Sequence, residues 1–293
     1  MSNDFISVEQ DKPKSLELLA AMRYFYSKSK STRLFRISIT TLLPIISIIS
    51  LNFFPSFKLP LAFFSALWIL FNQFLFQKIE TKRVKNGAKL QEAFDVKLFR
   101  IEWNDILVGD KISTEDIISS SQKFSGDRKK LLSWYQGLES KDHFTNVLSA
   151  QYENLAWGIM LRRFYSIILL TVFIIYLLIL FTISFFYDYS VQTLILSFMV
   201  PSQPLLLHLY STYNAHVKWC KESETITFKI INQINDSSSA IEESIMNNCR
   251  RYQDYIFLSR CDSNTVPDKI YWLKQNFYDK LMKKVNEFHS KSN

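Results

Sequence analysis

Glycine is scarce and scattered in this chain of 293 residues. The five glycines stand singly, at positions 87, 109, 126, 137 and 158. A P-loop, a dinucleotide-binding fingerprint and the G-x-S-x-G turn of hydrolases all need clustered glycine, because the backbone must come close to a ligand there. The sequence therefore excludes these three motifs and the enzyme classes that depend on them.

Cysteine and histidine are sparse as well, with three and four residues. Cys220, Cys249 and Cys261 form no C-x-x-C pair, which favours reduced, buried thiols over a disulfide or a metal site. His208 and His216 are eight residues apart, two turns of a helix and too far for one ion. We predict no metal site, no cofactor and no enzymatic activity.

Charge is absent from four long apolar stretches, which are arranged as two pairs. The uncharged runs cover 37–57, 59–77, 164–187 and 189–217, with 21, 19, 24 and 29 residues. A bilayer core of about 30 Å needs about 20 apolar residues in a helix. Because lipid offers no hydrogen bonds to the backbone, each stretch must be helical. The sequence predicts four transmembrane helices in two hairpins.

The basic residues predict the orientation of these spans. Residues 1–36 contain seven Lys and Arg, residues 77–163 contain fifteen, and residues 218–293 contain twelve. The first hairpin turn contains only Lys58, and the second contains none. The positive-inside rule places basic segments in the cytoplasm. We therefore expect a membrane protein with both termini and residues 79–160 in the cytoplasm.

The fold class that follows is all-α, a polytopic membrane protein with a cytosolic helical body. We divide the chain into an N-terminal cytosolic helix (1–36), a first transmembrane hairpin (37–78), a cytosolic helical domain (79–160), a second hairpin (161–213) and C-terminal cytosolic helices (214–293). Within the body we predict further helices at 127–137 and from residue 142 onward. Pro44 predicts a kink in the first span, and Pro201 and Pro204 predict a bent or interrupted fourth span.

Polar side chains inside the spans form one candidate site. Four helices alone enclose no sizeable aqueous hole, but several copies of the chain together can line one with uncharged polar groups. The alternative is hydrogen bonding between helices of one copy. The pore and gating candidates are Asn72, Gln73, Pro201, Ser202, Gln203, Pro204 and His208.

A basic and aromatic face near the C-terminus forms the second candidate site. Arg250, Gln253, Asp254, Phe257 and Arg260 share one side of a predicted helix, at offsets of 3, 4, 7 and 10. Guanidinium groups match phosphate oxygens and rings stack on bases, so this face suits a phosphorylated ligand with a base. The alternative is a local Arg250–Asp254 ion pair on a solvated face. The ligand-binding candidates are these five residues with Arg251, Trp103 and Tyr135.

Short motifs spread along the chain give a family resemblance. They are Glu9-Gln10, residues 18–23, Tyr26-Ser27, Phe94-Asp95, Leu98-Phe99, Trp103-Asn104, Trp134-Tyr135, residues 151–157, Pro201-Ser202 with Pro204, and residues 251–254 with Arg260 and Pro267. Each is weak alone. In this order, together with two membrane hairpins, the set resembles the SMODS-associating four-transmembrane pore-forming effectors. One position departs from the pattern: Gly158 stands where an acidic residue is expected after the tryptophan.

The resemblance implies a bacterial anti-phage effector of the CBASS type, which responds to a cyclic oligonucleotide or cyclic dinucleotide and breaches the inner membrane, ending in abortive infection. We expect a homo-oligomer in the lipid bilayer, with no DNA or RNA partner. Helices at 78–100 and 145–170 would carry a change from the body into the spans. The chief alternative is a non-conducting membrane scaffold that recruits a cytosolic partner. A membrane-embedded hydrolase and a small-solute carrier are further alternatives.

Overall fold

The structure is a computed structural model that describes residues 5–186, 189–236, 242–262 and 265–291. Within those residues it is helical, and no strand occurs among them. The helices are α1 (Phe5–Glu9), α2 (Pro13–Phe53), α3 (Lys58–Phe71), α4 (Gln77–Phe99), α5 (Asp105–Val108), α6 (Thr114–Gln122), α7 (His143–Phe186), α8 (Val191–Thr193), α9 (Val200–Asp236), α10 (Glu242–Cys261) and α11 (Asp268–Lys291).

Four helical stretches are long and apolar enough to cross a membrane: Pro13–Ser50, Pro55–Phe99, His143–Phe186 and Val191–Asn235. The all-α membrane fold predicted from the uncharged runs is therefore confirmed. The chain divides into two compact units. Unit 1 comprises Met1–Lys28, Thr81–Arg162 and Trp219–Asn293, and unit 2 comprises Ser29–Glu80 and Arg163–Lys218.

Unit 1 has an extensive apolar core drawn from helices that are distant in sequence. Phe94 and Phe99 of α4 are fully buried with Leu148 of α7, and Ile230 and Ile256 from the C-terminal part of the chain belong to the same cluster. Burying such side chains contributes about 1.5–3 kcal/mol each. Gly158 belongs to this unit, and a Cβ there would lie 2.7 Å from the indole of Trp219. The glycine at this departure from the family pattern therefore makes room for a tryptophan.

The helix predicted over 127–137 is wrong. The chain makes one 3-10 turn at Arg128–Leu131 and then continues in a nonhelical course. Ser133 has a positive φ of 50° and Gly137 one of 75°, which are incompatible with a right-handed helix. The side chain of Gln10 replaces helical hydrogen bonds here: it accepts from the Tyr135 amide at 2.8 Å and donates to the Tyr135 carbonyl at 3.1 Å.

Unit 2 contains the membrane-spanning segments. Hydrogen bonds between uncharged side chains join its helices, as is typical of helix packing in lipid. The Trp68 indole donates to Thr40 Oγ1 at 2.9 Å, and the hydroxyls of Tyr176 and Ser202 lie 2.7 Å apart. The first hairpin turns through Pro55–Phe57, as expected from its prolines. The tip of the second hairpin, predicted near Asp188, lies outside the described residues.

The fourth span is continuous through its prolines. Pro204 lies inside α9 and Pro201 lies in its first turn. A π-helical segment at Leu194–Met199 directly precedes them, and α3 packs against it. The wider π turn is suited to absorb the missing amide hydrogen and ring clash of Pro201. A second π-helical segment, Asn72–Phe76, joins α3 to α4, so spans two and four each contain an irregular turn.

Candidate functional site

Two carboxylates on α4 form the centre of a buried polar network in unit 1. Glu92 and Asp95 are one helical turn apart, so they project from the same side of α4. Both side chains have 0% exposure. A buried carboxylate is costly unless it is paired and hydrogen-bonded. Each of these two has a cationic partner from α10.

Arg250 is the partner of Glu92. Its Nη2 lies 2.6 Å from Glu92 Oε1 and 2.8 Å from Asp254 Oδ1, and its Nη1 donates to the Glu102 carbonyl at 2.6 Å. Asp254 also accepts from the Asn104 side-chain amide at 3.1 Å. One guanidinium therefore ties α10 both to α4 and to the loop that follows α4.

Arg260 is the partner of Asp95. Its Nη1 lies 2.6 Å from Asp95 Oδ2, and its Nη2 is a buried donor without a hydrogen-bond partner among the residues described. Gln253 lies between the two ion pairs and donates to Glu92 Oε2 at 2.8 Å and to Asp95 Oδ2 at 3.2 Å. Arg250, Gln253 and Arg260, which lie on one face of α10, thus converge on Glu92 and Asp95.

Tyr135 and α7 close the network on its other side. The Tyr135 hydroxyl donates to Asp95 Oδ1 at 2.8 Å and accepts from the Asn154 amide at 2.8 Å. Gln151 donates to the Cys249 carbonyl at 2.7 Å and to Gln253 Oε1 at 3.3 Å. We call Glu92, Asp95, Tyr135, Gln151, Asn154, Arg250, Gln253 and Arg260 the polar network.

Burial sets the electrostatics of the polar network. Burial raises the pKa of Glu92, against the hydrogen bonds from Arg250 and Gln253 that favour its charged form. Burial, reinforced by the Asp95 charge, raises the pKa of the Tyr135 phenol well above its usual value. Burial disfavours a charged Arg260, but Asp95 and its neighbours outweigh that effect and raise its pKa. Arg260 therefore remains a cation at any physiological pH.

The sequence-predicted ligand residues divide into two groups. One group meets in or at the polar network: Arg250, Gln253, Asp254, Arg260 and Tyr135. The Arg250–Asp254 ion pair exists, but its two side chains are half-buried and Arg250 also contacts Glu92. Phe257 is buried beside Trp103, whose indole donates to the Gly109 carbonyl at 3.1 Å. Arg251 is exposed on another side of α10. The ligand-binding role of these residues stays a prediction.

The sequence-predicted pore residues divide in the same way in unit 2. Asn72 accepts from Arg36 Nε at 2.6 Å, Ser202 is paired with Tyr176, and both prolines are buried. Gln73 and Gln203 are exposed on the surface of a single copy, and His208 is half-buried. Asn72 and Ser202 thus make the contacts expected of helix packing within one copy. The side-chain amides of Gln73 and Gln203 lie instead on the outer surface of that copy.

Glu92 and Asp95 are the acidic residues of the polar network that were not predicted as site residues. They lie within a largely apolar stretch with Phe94, Leu98 and Phe99. Acidic side chains spaced by three within such a stretch indicate a buried face that needs cationic partners. That signal was present in the sequence, but it does not identify the partners, which follow more than 150 residues later.

Four helices that are long and apolar enough to cross a membrane, together with a helical unit that has its own core, define the class: a four-span membrane protein. A family profile described as the SMODS-associating 4TM effector domain matches residues 4–288. A protein of Bacillus cereus (strain VD146), described as a probable CBASS effector molecule, is 38% identical over 286 residues, which cover 95% of this chain and 96% of the relative. No solved structure gave a significant match. The chain belongs to the SMODS-associating 4TM effector family, and the resemblance seen in the motifs is confirmed.

Proposed function

We propose that this protein permeabilises the bacterial inner membrane as a homo-oligomer under the control of a cyclic oligonucleotide or cyclic dinucleotide. Both termini and residues 79–160 face the cytoplasm in this proposal. Membership of the effector family supports the anti-phage role. The observation that carries the control mechanism is the polar network, in which two arginines of α10 are held by two buried carboxylates of α4.

The chemistry of the network suits regulation by an anion. Phosphodiester oxygens carry the same charge as Glu92 and Asp95, so they compete for the same guanidinium groups. The Arg250 side chain is 17% exposed and that of Arg260 is 11% exposed, whereas both carboxylates are fully buried. The buried Nη2 of Arg260 is a further donor that a phosphate oxygen satisfies. A phosphorylated ligand would therefore loosen α10 from α4.

One continuous helical stretch links the polar network to a membrane span. The helical stretch Pro55–Phe99 includes both an apolar span and the two network carboxylates. The ligand must bind one arrangement of α10 more tightly than the other, because equal affinity for both shifts no population. A ligand that prefers the permeabilising arrangement activates flux, and a ligand that prefers the other arrangement suppresses it.

Oligomerisation is supported by the exposed amides in the spans. Gln73 and Gln203 are exposed in one copy. An amide facing lipid without a partner is costly, so such groups favour contact with another copy or with a water-filled lumen. Several copies with these residues inward would form a polar path across the membrane.

The direct test is flux from liposomes that contain the purified protein. We expect release of a trapped ion or dye that changes when cyclic oligonucleotide or dinucleotide is added. Arg250→Glu should insert into the membrane normally but lose the response, because it places a carboxylate against Glu92 and Asp254. The absence of flux under every condition would instead support the scaffold alternative.

Arg251→Glu is the matched control for Arg250→Glu. It makes the same charge change one residue along α10, at a side chain exposed outside the network. Loss of response in Arg250→Glu but not in Arg251→Glu supports the network as the signal-sensing element. The reverse pattern would move the ligand site to the exposed side of α10.

A further inference from the structure

Helix α11 has one face that anchors it and another that is left open. On the anchored side, Trp157 Nε1 donates to Asp279 Oδ1 at 3.0 Å, and the Asn286 amide donates to Glu153 at 2.7 Å. Tyr278 and Met282 are buried on that side. The contacts that hold α11 in unit 1 therefore use only part of its circumference.

The open side carries an apolar strip. Leu273, Phe277, Leu281 and Phe288 follow each other at intervals of four, four and seven residues, so they lie along one line of the helix. Leu273, Phe277 and Phe288 are 71%, 66% and 70% exposed. Large apolar residues aligned and exposed to this degree indicate a surface that something covers.

Lysines border and interrupt this apolar strip. Lys269, Lys280, Lys283 and Lys284 are all exposed, and α11 contains six lysines against three acidic residues, a net charge of +3. Lys284 lies in line with the strip, between Leu281 and Phe288. The pattern of Phe and Leu beside exposed lysines is typical of helices that lie on a bilayer surface.

We propose that α11 docks on the anionic surface of the bilayer, with its apolar strip at the level of the lipid headgroups and its lysines on lipid phosphates. A lysine stem can lie along an apolar surface while its ammonium group reaches the polar layer, which accommodates Lys284. A dry contact with a second copy would bury Lys284 and bring two helices of net positive charge together. The charge pattern thus favours lipid as the occupant.

The test is the depth of a spin label on α11 in the full-length protein. The label is attached at Phe277→Cys. Cys261 is replaced by serine because it is partly exposed, whereas Cys220 and Cys249 are buried and can stay. Gln122→Cys, exposed at the end of α6, is the matched control site. In liposomes rich in phosphatidylglycerol, we expect the label at 277 to collide more often with oxygen, and less often with a water-soluble nickel complex, than the label at 122. The label at 122 should remain in an aqueous environment.

Charge and occupant are tested with the same label. Replacing phosphatidylglycerol by phosphatidylcholine, or introducing Lys280→Glu with Lys284→Glu, should return the 277 label to an aqueous environment. A 277 label that is aqueous in both lipids overturns the proposal, and equal protection in both overturns its charge argument. Spin–spin broadening that disappears on dilution with unlabelled protein would show a second copy on the strip instead.

Discussion

Replacing Asp95 by leucine should be among the most damaging single changes in unit 1. Asp95 accepts from Arg260 at 2.6 Å, from Tyr135 at 2.8 Å and from Gln253 at 3.2 Å, and its side chain has no exposure. Asp95→Leu leaves a buried guanidinium without its counter-ion. Removing one partner of a buried ion pair costs about 3–5 kcal/mol.

The expected loss converts into a measurable change in thermal stability. For a unit of this size, 1 kcal/mol shifts the unfolding midpoint by roughly 2–4 °C, so Asp95→Leu should lower it by roughly 6–20 °C. The assay is thermal unfolding of the purified protein in detergent, followed by circular dichroism. Glu139→Leu removes the same charge at an exposed position and should change stability by less than about 0.5 kcal/mol.

Combining Asp95→Leu with Arg260→Met measures the coupling energy between the two members of the ion pair. An apolar replacement of both partners is often close to neutral, whereas loss of one partner is not. The double variant should therefore lose clearly less stability than the sum of the two single variants. Additive losses, or an Asp95→Leu variant as stable as Glu139→Leu, would refute the assignment of a buried, coupled pair.

Three further changes test other parts of the structure. Burial raises the pKa of Glu153 from 4.5 to about 8. Between these pH values Glu153 is protonated in the folded protein but ionised in the unfolded chain, so its contribution to the free energy of unfolding falls as the pH rises. Glu153→Gln should remove that part of the slope in unfolding midpoints measured against pH. Gly137→Ala should destabilise by about 1–3 kcal/mol in thermal unfolding, because φ is 75° and a Cβ would lie 2.7 Å from the Lys283 carbonyl. Gln203→Leu should alter liposome flux, whereas Thr182→Val, exposed but bonded within its own helix, should not; unchanged flux in both would remove Gln203 from the proposed path.

The membrane-spanning part of the fold was predictable because its signal is local. Each uncharged run satisfies its own backbone only as a helix, and its length alone shows that it spans a bilayer. The cap at the start of α6 was predictable for the same reason: Ser113 accepts from the Asp116 amide at 3.1 Å, as its spacing from Asp116 indicates. The helix expected over 127–137 failed because Gln10, more than a hundred residues earlier, supplies hydrogen bonds that compete with a local helix.

The candidate site was only half predictable. The offsets on α10 placed Arg250, Gln253 and Arg260 on one face, and the structure brings them together. The sequence could not show that this face is turned inward onto Glu92 and Asp95, because such pairing depends on two distant helices packing side by side.

Four spans, the helical class and the family follow from the amino-acid sequence, since these depend on runs of apolar residues and on short ordered motifs. Which charges are paired and which side chains stay exposed depends on how distant helices pack. An arginine on a helix looks the same in sequence whether it meets water, a phosphate or a buried carboxylate. Its environment is set by contacts between residues far apart in the chain, and here those contacts gave Arg250 and Arg260 their acidic partners and left the strip on α11 open.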